Sequence, residues 1–98
     1  MMARATVTLR DGVSMPRLAF GTYKLAGDVC RDAVRDALVV GFRHIDTATC
    51  YRNERSVGEA VRASACAKEV FLTSKIAPNE MTSEETTSRA IDGVVDRL

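Results

Sequence analysis

Three short apolar runs alternate with amphipathic stretches along this chain, and that alternation limits its fold more than any other feature. The runs are LAFGTY at 18–23, FRHIDT at 42–47 and VFLTSKI at 70–76. After the first, Cys30, Ala33, Val34, Ala37, Leu38 and Gly41 fall at i, i+3, i+4, i+7, i+8 and i+11. That spacing predicts one stripe on a helix starting near Val29, with Asp28 as its N-cap. A second helix is expected over residues 54–63, with Val57, Gly58 and Val61 inward. A third opens after Pro78, with Thr82 and Glu85 as a T-x-x-E capping box and Ile91, Val94, Val95 and Leu98 as its stripe. Repeated strand–helix units give parallel strands joined by crossovers, so the fold class is α/β. The nearly continuous apolar run at 70–76 suits a strand buried on both faces. Ahead of these units, residues 6–18 read as a hairpin. TVTL alternates, Asp11-Gly12 is a turn pair, and Pro16, which cannot donate to a ladder, makes the hairpin an edge or cap.

At 98 residues the chain is long enough for one small domain. The formal net charge is +1 with no basic tract, which gives nucleic acid and membrane surfaces nothing to bind. The start, MMARATVTLRDG, lacks the apolar core of a leader, and no run is long enough to cross a bilayer, so the expected location is cytoplasmic. Cysteines stand at 30, 50 and 66 without a C-x-x-C, which argues against a disulfide framework and against a metal site. Cys50, next to Tyr51, reads as a small apolar filler. Three strand–helix units leave a sheet edge open. The chain is therefore expected to be a piece of a larger fold, with Val70, Leu72 and Ile91 lacking partners and self-association following if it is expressed alone. The third helix reaches Leu98 without a C-cap glycine, which fits that expectation.

Asp46 ends the second run and Lys75 lies near the end of the third, about one strand–helix period later. Both then sit at the carboxyl rim of the sheet, where sites in parallel α/β folds are built. Tyr51 lies on the loop that leaves this rim. A tyrosine titrates near ~10, and a neighbouring ammonium favours its phenolate; a shift of ~3 units is worth about 4 kcal/mol. A buried lysine needs a counter-ion, which Asp46 can supply. The three types make a relay: Asp46 holds Lys75, Lys75 tunes Tyr51, and Tyr51 exchanges a proton. Taken singly, each has a plainer reading: a helix-cap acid, a solvated strand-end lysine and a packing tyrosine. His44 is read as structural, on the face opposite Asp46. Asn53 and Glu54 are read as the N-cap and first-turn acid of the second helix. Gly21, Gly41 and Gly58 do not form G-x-G-x-x-G.

The stretch GFRHIDTATCYRNERSVG, residues 41–58, resembles the first signature of the aldo-keto reductases: glycine, aromatic and arginine, then HIDTA, a tyrosine, N-E and V-G, in this order. DGVSMPRLAFGTY resembles the family's opening segment and VFLTSKI its third strand, so the resemblance runs from about residue 10 to 98. It implies a partial (β/α)8 TIM barrel, with residues 1–98 as the N-terminal part of one barrel domain that usually has about 250 residues. It also implies NADPH-dependent reduction of aldehydes or ketones to alcohols. Tyr51 would be the general acid, Lys75 would lower its pKa, and Asp46 would pair with Lys75. Gly21, Thr22, Tyr23 and Asp46 would lie beside the nicotinamide end of the cofactor. Ala19 stands where the family usually has glycine. The family's further catalytic histidine, after the next strand, has no counterpart here, and the residues that grip the adenosine phosphate lie toward the family's C-terminus. The full-length parent is accordingly expected to act as a monomer on a small carbonyl substrate, and the 98-residue chain alone to be nearly inactive. The alternative is a non-catalytic truncated remnant, or a regulatory or binding subunit of the same fold.

Overall fold

The computed structural model describes residues 5–98; residues 1–4, the start of the N-terminal stretch discussed above, lie outside the described residues. The hairpin forms where the Asp-Gly pair predicts it. Strands β1 (Thr6–Thr8) and β2 (Ser14–Pro16) pair antiparallel, with Val7 opposite Met15. Their turn is closed by Leu9 N–H to Val13 O at 2.8 Å, and Gly12 sits at φ 88°, a conformation glycine adopts without steric cost.

The rest is a parallel sheet with helices against one face. β3 (Phe20–Gly21), β4 (His44–Asp46) and β5 (Phe71–Thr73) lie side by side in that order. The helix α1 (Gly27–Val40) connects the first pair, and α2 (Glu54–Ala63) lies between the second. A third helix, α3 (Glu84–Arg97), follows β5. The register aligns Gly21 with Asp46 and Asp46 with Thr73. Ile45 points into the helix layer and is fully buried there with Cys30, Val34 and Leu38 of α1 and Val57, Ala60 and Val61 of α2. Phe20 and Leu72, on the same face of the flanking strands, pack against this core.

The helix ends depart from the sequence reading in informative ways. α1 starts ahead of Val29; Ala26 is the N-cap, and Asp28 is a first-turn acid paired with Arg31 at 3.2 Å. Gly41 is the helix stop and not the last member of the stripe. It takes φ 117°, its N–H reaches Leu38 O at 3.2 Å, and Phe42 N–H reaches Ala37 O at 3.0 Å, a Schellman pattern. α3 is capped one residue later than predicted. Ser83, not Thr82, is the N-cap; its hydroxyl accepts from Thr86 N–H at 3.1 Å, while Ser83 N–H donates to Thr86 Oγ1 at 2.9 Å. Threonine thus does the work expected of Glu85. β5 is half-buried and not buried on both faces, and Val70 and Leu72 pack on the core instead of lacking partners. Of the three residues expected to be bare, only Ile91 is exposed, and Val95 is exposed one turn beyond it on α3.

Gly58 sets how closely α3 approaches α2. A Cβ at this position would lie 2.7 Å from Arg97 O and 2.9 Å from Leu98 O, both backbone atoms that cannot swing away. Gly93 is different, since its nearest neighbour is a side-chain atom, Arg97 Nη1 at 2.9 Å, and not backbone, although Glu54 holds that guanidinium at Nε. Gly58→Ala should therefore lower stability by about 1–3 kcal/mol through overpacking. Gly93→Ala should cost less than Gly58→Ala, because a helix-propensity gain of up to about 1 kcal/mol offsets the small displacement asked of the Arg97 guanidinium. Urea denaturation midpoints of the two variants against wild type check this, and equal shifts would contradict it.

Candidate active site

Period-two alternation splits the strand ends into two tiers. Asp46 and Lys75 lie on the face away from the helices, and the exposed Tyr23 follows on from Gly21 at the same rim. Thr22, Thr47 and Ser74 lie on the helix side, and the first two are fully buried. The ladder continues past the strands to hold these ends together: Thr22 N–H donates to Asp46 O at 3.1 Å, Thr47 N–H to Thr73 O at 2.8 Å, and Thr49 N–H to Lys75 O at 2.9 Å.

On the outer rim, Lys75 Nζ donates to Asp46 Oδ1 in a direct ion pair. The same ammonium lies 5.5 Å from the centroid of the Tyr51 ring, within cation–π range. Tyr51 ends a 3₁₀ turn, Thr49–Tyr51, that leaves the β4 end; Arg52 follows in the left-handed region at φ 57° and redirects the chain into α2. The Tyr23 ring closes the group from the β3 side, 5.1 Å from the Tyr51 ring and inclined by 52°. Partial burial pulls the Lys75 pKa down, but the Asp46 carboxylate, by hydrogen bond and by charge, outweighs it with a smaller contribution from Tyr51. The net direction is upward, so the amine is a cation throughout the neutral range.

Asp46, Tyr51, Lys75 and Tyr23 therefore meet at one rim. Gly21 borders it, and a Cβ there would touch nothing within 4 Å, so the backbone at the β3 end faces open space. Thr22 is different: its hydroxyl donates to Asp46 O at 2.9 Å, beneath the rim. His44 lies on the same face as Asp46, two residues along the strand, and not on the opposite one as expected. It is still fully engaged. Nδ1 lies 2.9 Å from Pro16 O, which can only accept, so Nδ1 carries hydrogen; Nε2 lies 2.7 Å from Thr73 Oγ1. His44 thus fastens the hairpin to the sheet. Among the described residues no cluster of side chains could hold a metal ion.

Three polar residues carry more than the sequence suggested. Asn53 stands at the N-cap of α2 without capping it. Its buried amide donates to Thr22 O and Leu25 O, both at 2.9 Å, and accepts from Thr47 Oγ1 at 2.5 Å. Glu54, only 3% exposed, accepts from Ser74 Oγ and Arg97 Nε, each at 2.5 Å, joining α2, β5 and α3. Glu80 Oε1 accepts from Thr49 Oγ1 at 2.6 Å and from Ala77 N–H at 2.8 Å, pinning the Tyr51 turn to the loop after β5. A threonine at a strand end six residues before an asparagine is the one hint of the Asn53 network that the sequence carries.

Residues 17–98 match the model of the Aldo/keto reductase family. The chain is 44% identical over 77 residues to the methylglyoxal reductase DkgA of Salmonella typhimurium, a match covering 76% of this chain and 28% of that protein. It is 40% identical over 95 residues to the glyoxal reductase of Bacillus subtilis, covering 95% of this chain and 34% of that protein. The fold superimposes on the crystal structure of an aldo/keto reductase from Brucella melitensis with a TM-score of 0.90 at 39% identity, covering 99% of this chain and 37% of that one. An aldo-keto reductase from a Medee basin deep-sea metagenome gives 0.86 at 34% identity, covering 93% and 34%. The chain thus spans about a third of the length of the proteins it matches.

The Glu80 contacts make the Tyr51 turn sensitive to acid. Hydrogen bonds from Thr49 and then Ala77, opposed by burial and helped by Arg97, hold the Glu80 pKa below the ordinary glutamate value. A depressed folded pKa means the contribution is complete above about pH 4.3 and drains away as pH falls through the folded value. Wild type should therefore exceed Glu80→Gln in stability at neutral pH by a margin that shrinks on acidification. Melting temperatures of both proteins from about pH 3 to 7 check this; a margin that is constant across that range would contradict it.

Proposed function

Since this chain belongs to the aldo/keto reductase family, we propose that the protein reduces aldehydes or ketones to alcohols, with NADPH as hydride donor. The observation that carries this reading is the convergence of Asp46, Lys75 and Tyr51 at an open rim. The residues present suit the cofactor's flat ring. The backbone at Gly21 is uncrowded, and the Tyr23 ring beside it is 65% exposed. Gly21, Tyr23 and Asp46 would hold that end of the cofactor, with Thr22 supporting Asp46 from beneath. The bound cofactor supplies the hydride to the carbonyl carbon.

The remaining steps belong to the chain. Tyr51 donates its phenolic proton to the carbonyl oxygen as the carbon–oxygen double bond becomes single, so that the product is the neutral alcohol. The Lys75 ammonium stabilises the phenolate left behind. Asp46 holds that ammonium in place and offsets its charge. Glyoxal and methylglyoxal, which appear in the names of the relatives above, make small dicarbonyls the first substrates to assay. The reading puts the protein in the cytoplasm as a monomer. Its three free cysteines suit a reducing compartment, and no helix of the described residues is long and apolar enough to cross a membrane.

In the full-length polypeptide, Tyr51→Phe should lower kcat by about 10²- to 10⁴-fold, the usual worth of a general acid. Cofactor affinity, read from nicotinamide fluorescence, should change little. Lys75→Met should also depress kcat strongly. Turnover of methylglyoxal by Tyr51→Phe at the wild-type rate would overturn the assignment of the proton donor.

A further inference from the structure

We infer that Asn53 is a positioning residue: its side chain fixes the distance between the Tyr23 and Tyr51 rings, and through it the placement of the proton donor. The inference rests on the reductase reading above, which gives Tyr51 its chemical role. It concerns a buried residue whose side-chain polar atoms are all engaged by protein groups.

Asn53 is 2% exposed, and its side chain does not cap the helix it precedes, so capping does not account for its burial. Both amide hydrogens and the amide oxygen are used. The donations go to the carbonyls of Thr22 and Leu25, the two ends of the turn that carries Tyr23. That turn holds Lys24 at φ 67°, a conformation rare for side-chain-bearing residues, which needs support from outside. The oxygen accepts from Thr47, at the end of β4 just before the Tyr51 turn. Asn53 is also two residues beyond Tyr51 in sequence. One side chain therefore ties the loop bearing one aromatic ring to the loop bearing the other, and the rings lie 5.1 Å apart. Only a neutral amide fits. A carboxylate would face two carbonyl oxygens, and an apolar side chain would take a partner from Leu25 O and from the Thr47 hydroxyl, leaving Thr22 O only its bond from Leu25 N–H.

The test compares Asn53→Asp, Thr47→Val and Thr47→Ser in the full-length polypeptide. Asn53→Asp should lower kcat by about 10- to 100-fold, as a displacement near 1 Å does, with KM and cofactor affinity changing much less. Thr47→Val removes only the hydroxyl that Asn53 accepts, so it should lower kcat in the same direction by a smaller factor. Thr47→Ser restores the hydroxyl and should restore the rate. If Asn53→Asp does not fold, the Thr47 pair decides alone. Equal impairment of Val and Ser, or an Asn53→Asp enzyme with wild-type kcat, would overturn the inference.

A readout independent of turnover separates this inference from the reductase reading. With isotopically labelled tyrosine, the Tyr23–Tyr51 ring contact should give a nuclear Overhauser effect in wild type that is lost in Asn53→Asp and weakened in Thr47→Val. A wild-type protein inactive on every carbonyl tested, yet showing that loss, would sink the reductase reading and leave the role of Asn53 standing. Retention of the ring contact in all variants would overturn the role of Asn53, whatever the activity.

Discussion

The site depends on the register that sets Gly21, Asp46 and Thr73 on one rung of a parallel sheet. Because side chains alternate faces, that rung decides which residues meet at the mouth and which meet the helices. A slip of one residue in β4 would turn Asp46 toward the helices and present Thr47 to the rim. The register is secured by Ile45, which is fully buried in the apolar core, and by the carbonyl and hydroxyl contacts beyond the strand ends. The apolar core thus sets the position of the polar rim above it.

Two ion pairs in this structure illustrate different uses of charge. The Asp46–Lys75 pair is half-exposed, with side chains 37% and 48% accessible. Pairs of this kind contribute little to stability, and its consequence is where the ammonium is held. The Glu54–Arg97 pair has its carboxylate 2% accessible and completed by the Ser74 hydroxyl. Removing one partner there would leave a buried charge unsatisfied, a large penalty. The first pair places a charge beside Tyr51; the second holds together α2, β5 and α3. The two are interleaved, because Ser74 and Lys75 are consecutive residues facing opposite ways.

Much of this was legible in the sequence, for definite reasons. The apolar runs and helical stripes place every strand and helix, since burial on one face is what produces those periods. The gathering of Asp46, Tyr51 and Lys75 follows from strand ends one period apart. Cap positions were less legible, because Thr82 and Ser83 are both N-cap types, and the glutamate three residues after Thr82 favours the wrong one. Asn53 was the harder case. Asparagine before a helix is the ordinary signature of a cap, and its true partners, the carbonyls of Thr22 and Leu25, belong to a loop some thirty positions away in the chain. Glu54 is the first-turn acid that the sequence suggests, but nothing local announces its bond to Arg97. The ring contacts of His44 are structural, as its sequence suggests, but residues two apart in a strand share a side, so it lies on the face of Asp46.

The four residues of β4 and its extension, His44 to Thr47, gather these threads. His44 reaches down to Pro16 in the hairpin. Ile45 reaches outward into the helix core. Asp46 reaches the rim and Lys75. Thr47 reaches back to Asn53 at the head of α2. Each side chain meets a different neighbour, so no two of them can exchange places without breaking both connections. The hairpin is fastened by the same strand that carries the rim carboxylate. A disturbance at Pro16 therefore reaches the ion pair beside Tyr51 through one hydrogen bond to His44 and two residues of β4.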